Sequence, residues 1–147
     1  MLSPSRGGIK ASRALFAVLV GCALVVAGCF WHQYPARMAT HTEVLLGIAR
    51  KAHDLVATGR FTAESLPELT YPLERATAFA SDARARGGGG RASLAAFDAL
   101  LERYRTYVEA VDRARVEGGA SAATLDVSLA ALEAAAARVT AALASEH

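Results

Sequence analysis

Four runs of this chain carry apolar residues at alternating steps of three and four, a period that suits helices and leaves little room for a sheet. The clearest seam is Leu94, Phe97, Leu101, Tyr104, Val108 and Val111, broadened by Leu100 and Tyr107. It holds a heptad pattern over more than two repeats. Leu125, Leu129, Leu132, Ala136, Val139 and Leu143 repeat the pattern near the end. Leu45, Ile48, Ala52 and Leu55, with Val44 and Val56 beside them, mark an earlier stripe, and Leu73, Ala76, Phe79, Ala80 and Ala83 another. No alternating β-rich run occurs in residues 37–147.

Local signals set the expected boundaries. Thr40-His41-Thr42-Glu43 fits a capping box, in which the Thr40 oxygen takes a free amide and Glu43 reaches back. The first helix is therefore expected over His41–Thr58, with Gly59 as its left-handed stop. Residues 60–71 read as a connection with one helical turn, where Ser65-Leu66-Pro67-Glu68 offers a second capping-box pattern. Tyr71-Pro72 restarts the helix, with Pro72 in a first-turn position where its missing amide costs nothing. That second helix is expected to end at Gly87, and Gly87–Gly90 to be a flexible loop between neighbours. The third helix is expected over Ser93–Glu117, with Glu109, Arg113 and Glu117 spaced for i, i+4 pairs. Gly118-Gly119 end it, and Ser121 is placed to cap a fourth helix over Ala122–Ser145. Ala134–Ala137 gives that helix a slim surface for close approach.

Four amphipathic helices with short connections imply an all-α fold, an antiparallel up-down four-helix bundle after an N-terminal signal or anchor segment. No internal repeat points to a solenoid. Hydrophobic residues make up 53% of the 147. Much of that is alanine, which favours helix but buries little area, so the core falls to a limited set of Leu, Val, Ile, Phe and Tyr.

The N-terminal segment is built differently. Residues 1–13 carry Arg6, Lys10 and Arg13 and no acid. Ala14–Trp31 is then uncharged throughout, with the small residues Ala27 and Gly28 before Cys29. A basic lead, an apolar run and small residues at a cut form the layout of a secretory signal, and the positive charges hold the first end on the cytoplasmic side.

Val26-Ala27-Gly28-Cys29 resembles the lipobox of bacterial lipoproteins, commonly Leu-(Ala/Ser)-(Gly/Ala)-Cys, with Val26 in place of the commoner Leu. The resemblance covers residues 1–29 only. It implies that the Cys29 thiol receives a diacylglyceryl group and that signal peptidase II cuts before it. The new amino terminus then often takes a further acyl chain such as palmitate. Leu19-Val20-Gly21-Cys22 has a similar shape but leaves only Ala14–Val20 as apolar run, so Cys29 is preferred as the lipidation site. The implied organisation is a signal peptide over 1–28, a lipidated cysteine and tether over 29–36, and a helical-bundle domain over 37–147. Phe30 is not the Asp that retains such lipoproteins at the inner membrane, which implies passage to the outer membrane, facing the periplasm, in a two-membrane bacterium. Several acyl chains would hold firmly where one binds marginally. An uncleaved signal anchor is the competing reading, because Ala14–Trp31 would reach about 27 Å as a helix, enough to span. Phe30, Trp31 and Tyr34 suit a membrane interface, or else a linker packed on the domain.

Once the leader is set aside, the net charge of +2 disappears: three of the sixteen basic residues precede Cys29 and no acid does, so thirteen face fourteen from there on. No basic excess remains to argue for nucleic acid. Cys22 and Cys29 are the only cysteines, about 10 Å apart along a helix and too far for a disulfide. The body therefore has no disulfide, no thiolate metal site and no cysteine nucleophile.

Candidate catalytic groups are dispersed. His41 and His53 lie about 120° apart round an ideal helix, and no His-Glu-x-x-His, Glu-x-x-His or Cys-x-x-Cys-His occurs. His32 and His147 complete the histidines. Asp98 and Glu102 could face one another at i, i+4, but a solvated face is the simpler reading, and Tyr104 and Tyr107 read as core aromatics. Arg84, Arg86 and Arg91 flank the four glycines without the Lys-Ser/Thr of a phosphate loop. The expectation is a lipid-anchored envelope protein without catalysis or cofactor, acting through an unidentified envelope protein partner or as a structural component. The alternative is a signal-anchored extracytoplasmic sensor-like module that binds a small ligand or homodimerises.

Overall fold

The computed structural model describes residues 8–117 and 122–146, with side chains from residue 33 onward apart from residue 122. Its helices are α1 (Gly8–Ala57), α2 (Leu66–Ala85), α3 (Arg91–Glu117) and α4 (Ala122–Ser145), with a 3-10 turn at Ala63–Ser65 before α2. The chain divides into two compact units, Met1–Gln33 and Tyr34–His147. In the first, the described backbone is the opening part of α1. The second is an antiparallel four-helix bundle.

Polar contacts fix the order of helices round the bundle. Lys51 meets Glu68 at 2.9 Å, and the Tyr34 hydroxyl donates to Asp82 at 3.3 Å, so α1 and α2 run in opposite directions. Arg84 meets Asp98 at 2.7 Å between α2 and α3. Glu146 accepts from the Ser93 backbone amide at 3.1 Å, which sets the end of α4 beside the start of α3. Arg50 meets Glu133 at 2.8 Å and closes the ring between α4 and α1. Across the diagonal, the buried Tyr107 hydroxyl donates to the Ala49 carbonyl at 2.7 Å.

The seams read in the sequence face inward. Phe97, Leu100, Leu101, Tyr104, Tyr107 and Val111 are buried on α3, and Leu125, Leu132, Ala136 and Val139 on α4. Leu73, Leu94, Val108, Leu129 and Leu143 pack against that core while partly exposed. Ala135 and Ala136 supply the close approach expected of Ala134–Ala137, while Ala134 and Ala137 stay exposed. Gly59 stops α1 in a left-handed conformation, φ 65°, where a side chain would be strained. The amides of Gly59 and Arg60 then bond back to Val56 and Leu55 at 3.0 and 2.8 Å. Gly118, Gly119 and Ser121 lie outside the described residues.

Three boundaries differ from expectation. Helix α1 does not begin at His41: residues 30–40 are already helical, and the Thr40 hydroxyl donates back to the Ala36 carbonyl at 3.0 Å instead of capping. The cause is burial, since Met38 and Tyr34 continue the apolar stripe one and two turns earlier, at 0% and 6% exposure. Helix α2 starts at Leu66, leaving Pro72 inside it and Pro67 in its first turn. There Leu69, 1% exposed, draws the upstream turn onto the core. Helix α3 begins two residues early, at Arg91.

The four glycines form a packed junction. Gly87 ends α2 as Gly59 ends α1, with the Gly88 amide reaching the Ala83 carbonyl at 2.7 Å. A Cβ on Gly88 would collide with the Tyr34 ring, so glycine permits that close approach. Hydrogen bonds from Ser93, and more weakly from the amides of Ala92 and Gly90, hold the Glu146 carboxyl below its usual range. This carboxylate caps the N-terminus of α3, where free amides and the helix dipole favour negative charge.

Candidate functional site

The sequence singles out one site residue, Cys29. It falls in the helical backbone of α1, inside the Met1–Gln33 unit. The groups considered for chemistry elsewhere are held apart. His53 lies between α1 and α4, with Nε2 2.7 Å from Asp126. Asp98 takes both its oxygens to Arg84, and Glu102 pairs with Arg105 at 3.0 Å, so these two carboxylates serve ion pairs on different partners. His147 lies outside the described residues. Among the described residues no three His, Cys, Asp or Glu side chains come together as a metal site.

Tyr104 and Tyr107 are both core residues, as read. Tyr107 spends its hydroxyl on Ala49, whereas the buried Tyr104 hydroxyl has no hydrogen-bond partner among the described residues. Burial pushes both phenols well above the ordinary tyrosine value, and the neighbouring Tyr104 and Asp54 add to the effect on Tyr107.

Of the arginines round the glycine junction, two are neutralised. Arg84 forks onto Asp98 with both contacts at 2.7 Å, and Arg86 binds Asp82 at 2.6 Å. A different cationic group, spread over residues 37–75, is assembled by the fold. Arg37 and His41 lie one turn apart on α1, and Arg75 faces them from α2. Together with Ala78, Phe79 and Asp82 they line a cleft of about 300 Å³. Phe79, buried between the helices, is its platform: the Arg37 guanidinium sits 5.2 Å over the ring, and the His41 ring centroid lies 4.9 Å away. Phe97 of α3 meets Phe79 edge-on at 5.8 Å and holds it. Burial, then the charges of Arg37 and Arg75, hold the His41 pKa below its ordinary value.

Sequence reasoning missed this group because its members are far apart in the chain. One signal could have found it. Antiparallel pairing that sets Lys51 opposite Glu68 carries His41 opposite Ala78.

One described helical segment, Ala123–Ser145, is long and apolar enough to cross a membrane, yet it packs on the core through Leu125, Leu132, Ala135, Ala136 and Val139. No protein-family model, curated protein or solved structure matches the chain.

Proposed function

We propose that this chain is a lipid-anchored helical protein of the bacterial cell envelope, tethered through Cys29. In this reading the bundle works outside the cytoplasm, engaging an envelope protein partner or serving as a structural component, without catalysis. The observation that carries the reading is the sequence layout of the leader: three basic residues, an uncharged apolar run and Val26-Ala27-Gly28-Cys29. The bundle supports it with a core of its own beginning at Tyr34, five residues after the cysteine.

Metabolic labelling with palmitate tests the anchor. Wild type and Cys22→Ala are expected to take up label, and Cys29→Ala is not. Absence of label from wild type would remove the lipoprotein reading. The signal-anchored, sensor-like alternative has one observation in its favour: the helical backbone of α1 runs through Ala14–Trp31 without interruption. It requires a mature chain that keeps its leader and carries no lipid.

A further inference from the structure

We propose that the cleft between α1 and α2 is an anion site for a phosphate group, free or as a small phosphate monoester, held by Arg37 and Arg75 with His41 between them. Three other cations that reach a neighbouring helix find carboxylates there: Arg50 has Glu133, Lys51 has Glu68 and Arg84 has Asp98. Arg37 crosses to an aromatic face instead, lying over Phe79 of α2, and Arg75 lies over Tyr71, one turn earlier on its own helix, at 5.8 Å. A guanidinium lying over a ring keeps its N–H edge free for an oxyanion, and its planar fork matches phosphate oxygens.

The charge arithmetic favours a dianion. Two guanidinium groups stand against one carboxylate, Asp82, and that carboxylate is already engaged by Arg86 at 2.6 Å and the Tyr34 hydroxyl at 3.3 Å. His41 adds a third donor able to take up charge. Its surroundings are defined: Arg37 on its own helix, Arg75 and Asp82 on α2, and the uncharged Phe97 on α3, 6.4 Å away. The repulsion that now disfavours its proton reverses when an anion enters, so binding and protonation of His41 favour each other. A cleft of about 300 Å³ admits a phosphate with a small organic group against Ala78 and Phe79. The site stands on the geometry of the bundle and does not depend on how the N-terminus is processed.

The test is the titration of the His41 ring, followed by NMR on full-length protein in neutral detergent. Inorganic phosphate is compared with chloride at equal ionic strength. A second arm uses neutral bicelles with and without phosphatidic acid, whose headgroup is a phosphate monoester. A saturable rise of about one unit in the His41 pKa is expected. Response to inorganic phosphate identifies a free ligand, and response to phosphatidic acid alone identifies a lipid headgroup. Arg37→Gln with Arg75→Gln should abolish the rise, with helical content checked by circular dichroism, while Arg84→Gln should leave it intact. A His41 pKa that moves no more with phosphate than with chloride, and no more with phosphatidic acid than without it, would overturn the proposal, as would a rise that survives the double substitution.

Discussion

Two basic clusters sit on this bundle, and they are built in opposite ways. The one beside Gly87–Gly90 is obvious in the chain, yet Arg84 and Arg86 are matched by Asp98 and Asp82. The one in the α1–α2 cleft is invisible as a run, yet Arg37 and Arg75 converge on His41 with aromatic faces for neighbours. Density of charge along a sequence is therefore a poor guide to an available cation. What decides is whether a carboxylate comes within reach, from the same helix for Arg86 or across the helix pairing for Arg84. The same contrast recurs in the core, where the Tyr107 hydroxyl is matched and the Tyr104 hydroxyl is not.

The largest effect should come from the platform that holds the cleft. Phe79→Ala is expected to cost about 3–5 kcal/mol in denaturant unfolding, because the ring is buried against Tyr34, His41 and Phe97. A loss below about 1 kcal/mol would mean the cleft is not organised by this ring. On the other side of the comparison, Gly88→Ala drives a Cβ into the Tyr34 ring and should cost about 1–3 kcal/mol. Stability equal to wild type would show that the glycine junction is a slack linker after all.

The tyrosines give the next contrast. Tyr107→Phe removes the phenol donor to the Ala49 carbonyl and should cost about 1 kcal/mol, while Tyr104→Phe should be neutral or stabilising. The reverse order in paired unfolding curves would contradict the assignment of partners.

The smallest effect is pH-linked. The His41 pKa is depressed in the fold, so below the ordinary value of 6.5 the unfolded chain takes a proton that the folded chain resists. Stability is then lost as pH falls from 6.5 towards the folded pKa, and the loss is complete below it. The Arg37→Gln, Arg75→Gln double variant removes two causes of the depression, so its curve should fall less steeply over that window. Parallel curves would show that the two arginines do not act on His41.

The bundle was legible because its strongest signals are local. Leu94 to Val111 could form only a helix with one apolar seam, and Gly59 could only stop one. The early start of α1 was hidden by the lipobox reading, which assigned residues 30–36 to a tether and turned Pro35 and Tyr34 into linker residues. Yet Tyr34 and Met38 already continue the spacing of Thr42, Leu45 and Ala49. The early start of α2 was hidden because Pro72 looks like a first turn, while tertiary burial of Leu69 decides the matter. Spacing within one helix does not show the cleft, since Arg37 and Arg75 meet only through the pairing of two helices, and only the register that sets Lys51 opposite Glu68 brings them together.

The sequence assigns Cys29 by resemblance alone, and everything proposed about where the bundle works depends on it. Intact mass and N-terminal sequencing of the protein recovered from membranes test this most directly. The expected result is a chain that begins at Cys29, carries the added mass of a diacylglyceryl group and an amide-linked acyl chain, and loses both in Cys29→Ala. A wild-type chain that retains Met1 through Gly28 with no added mass would contradict it.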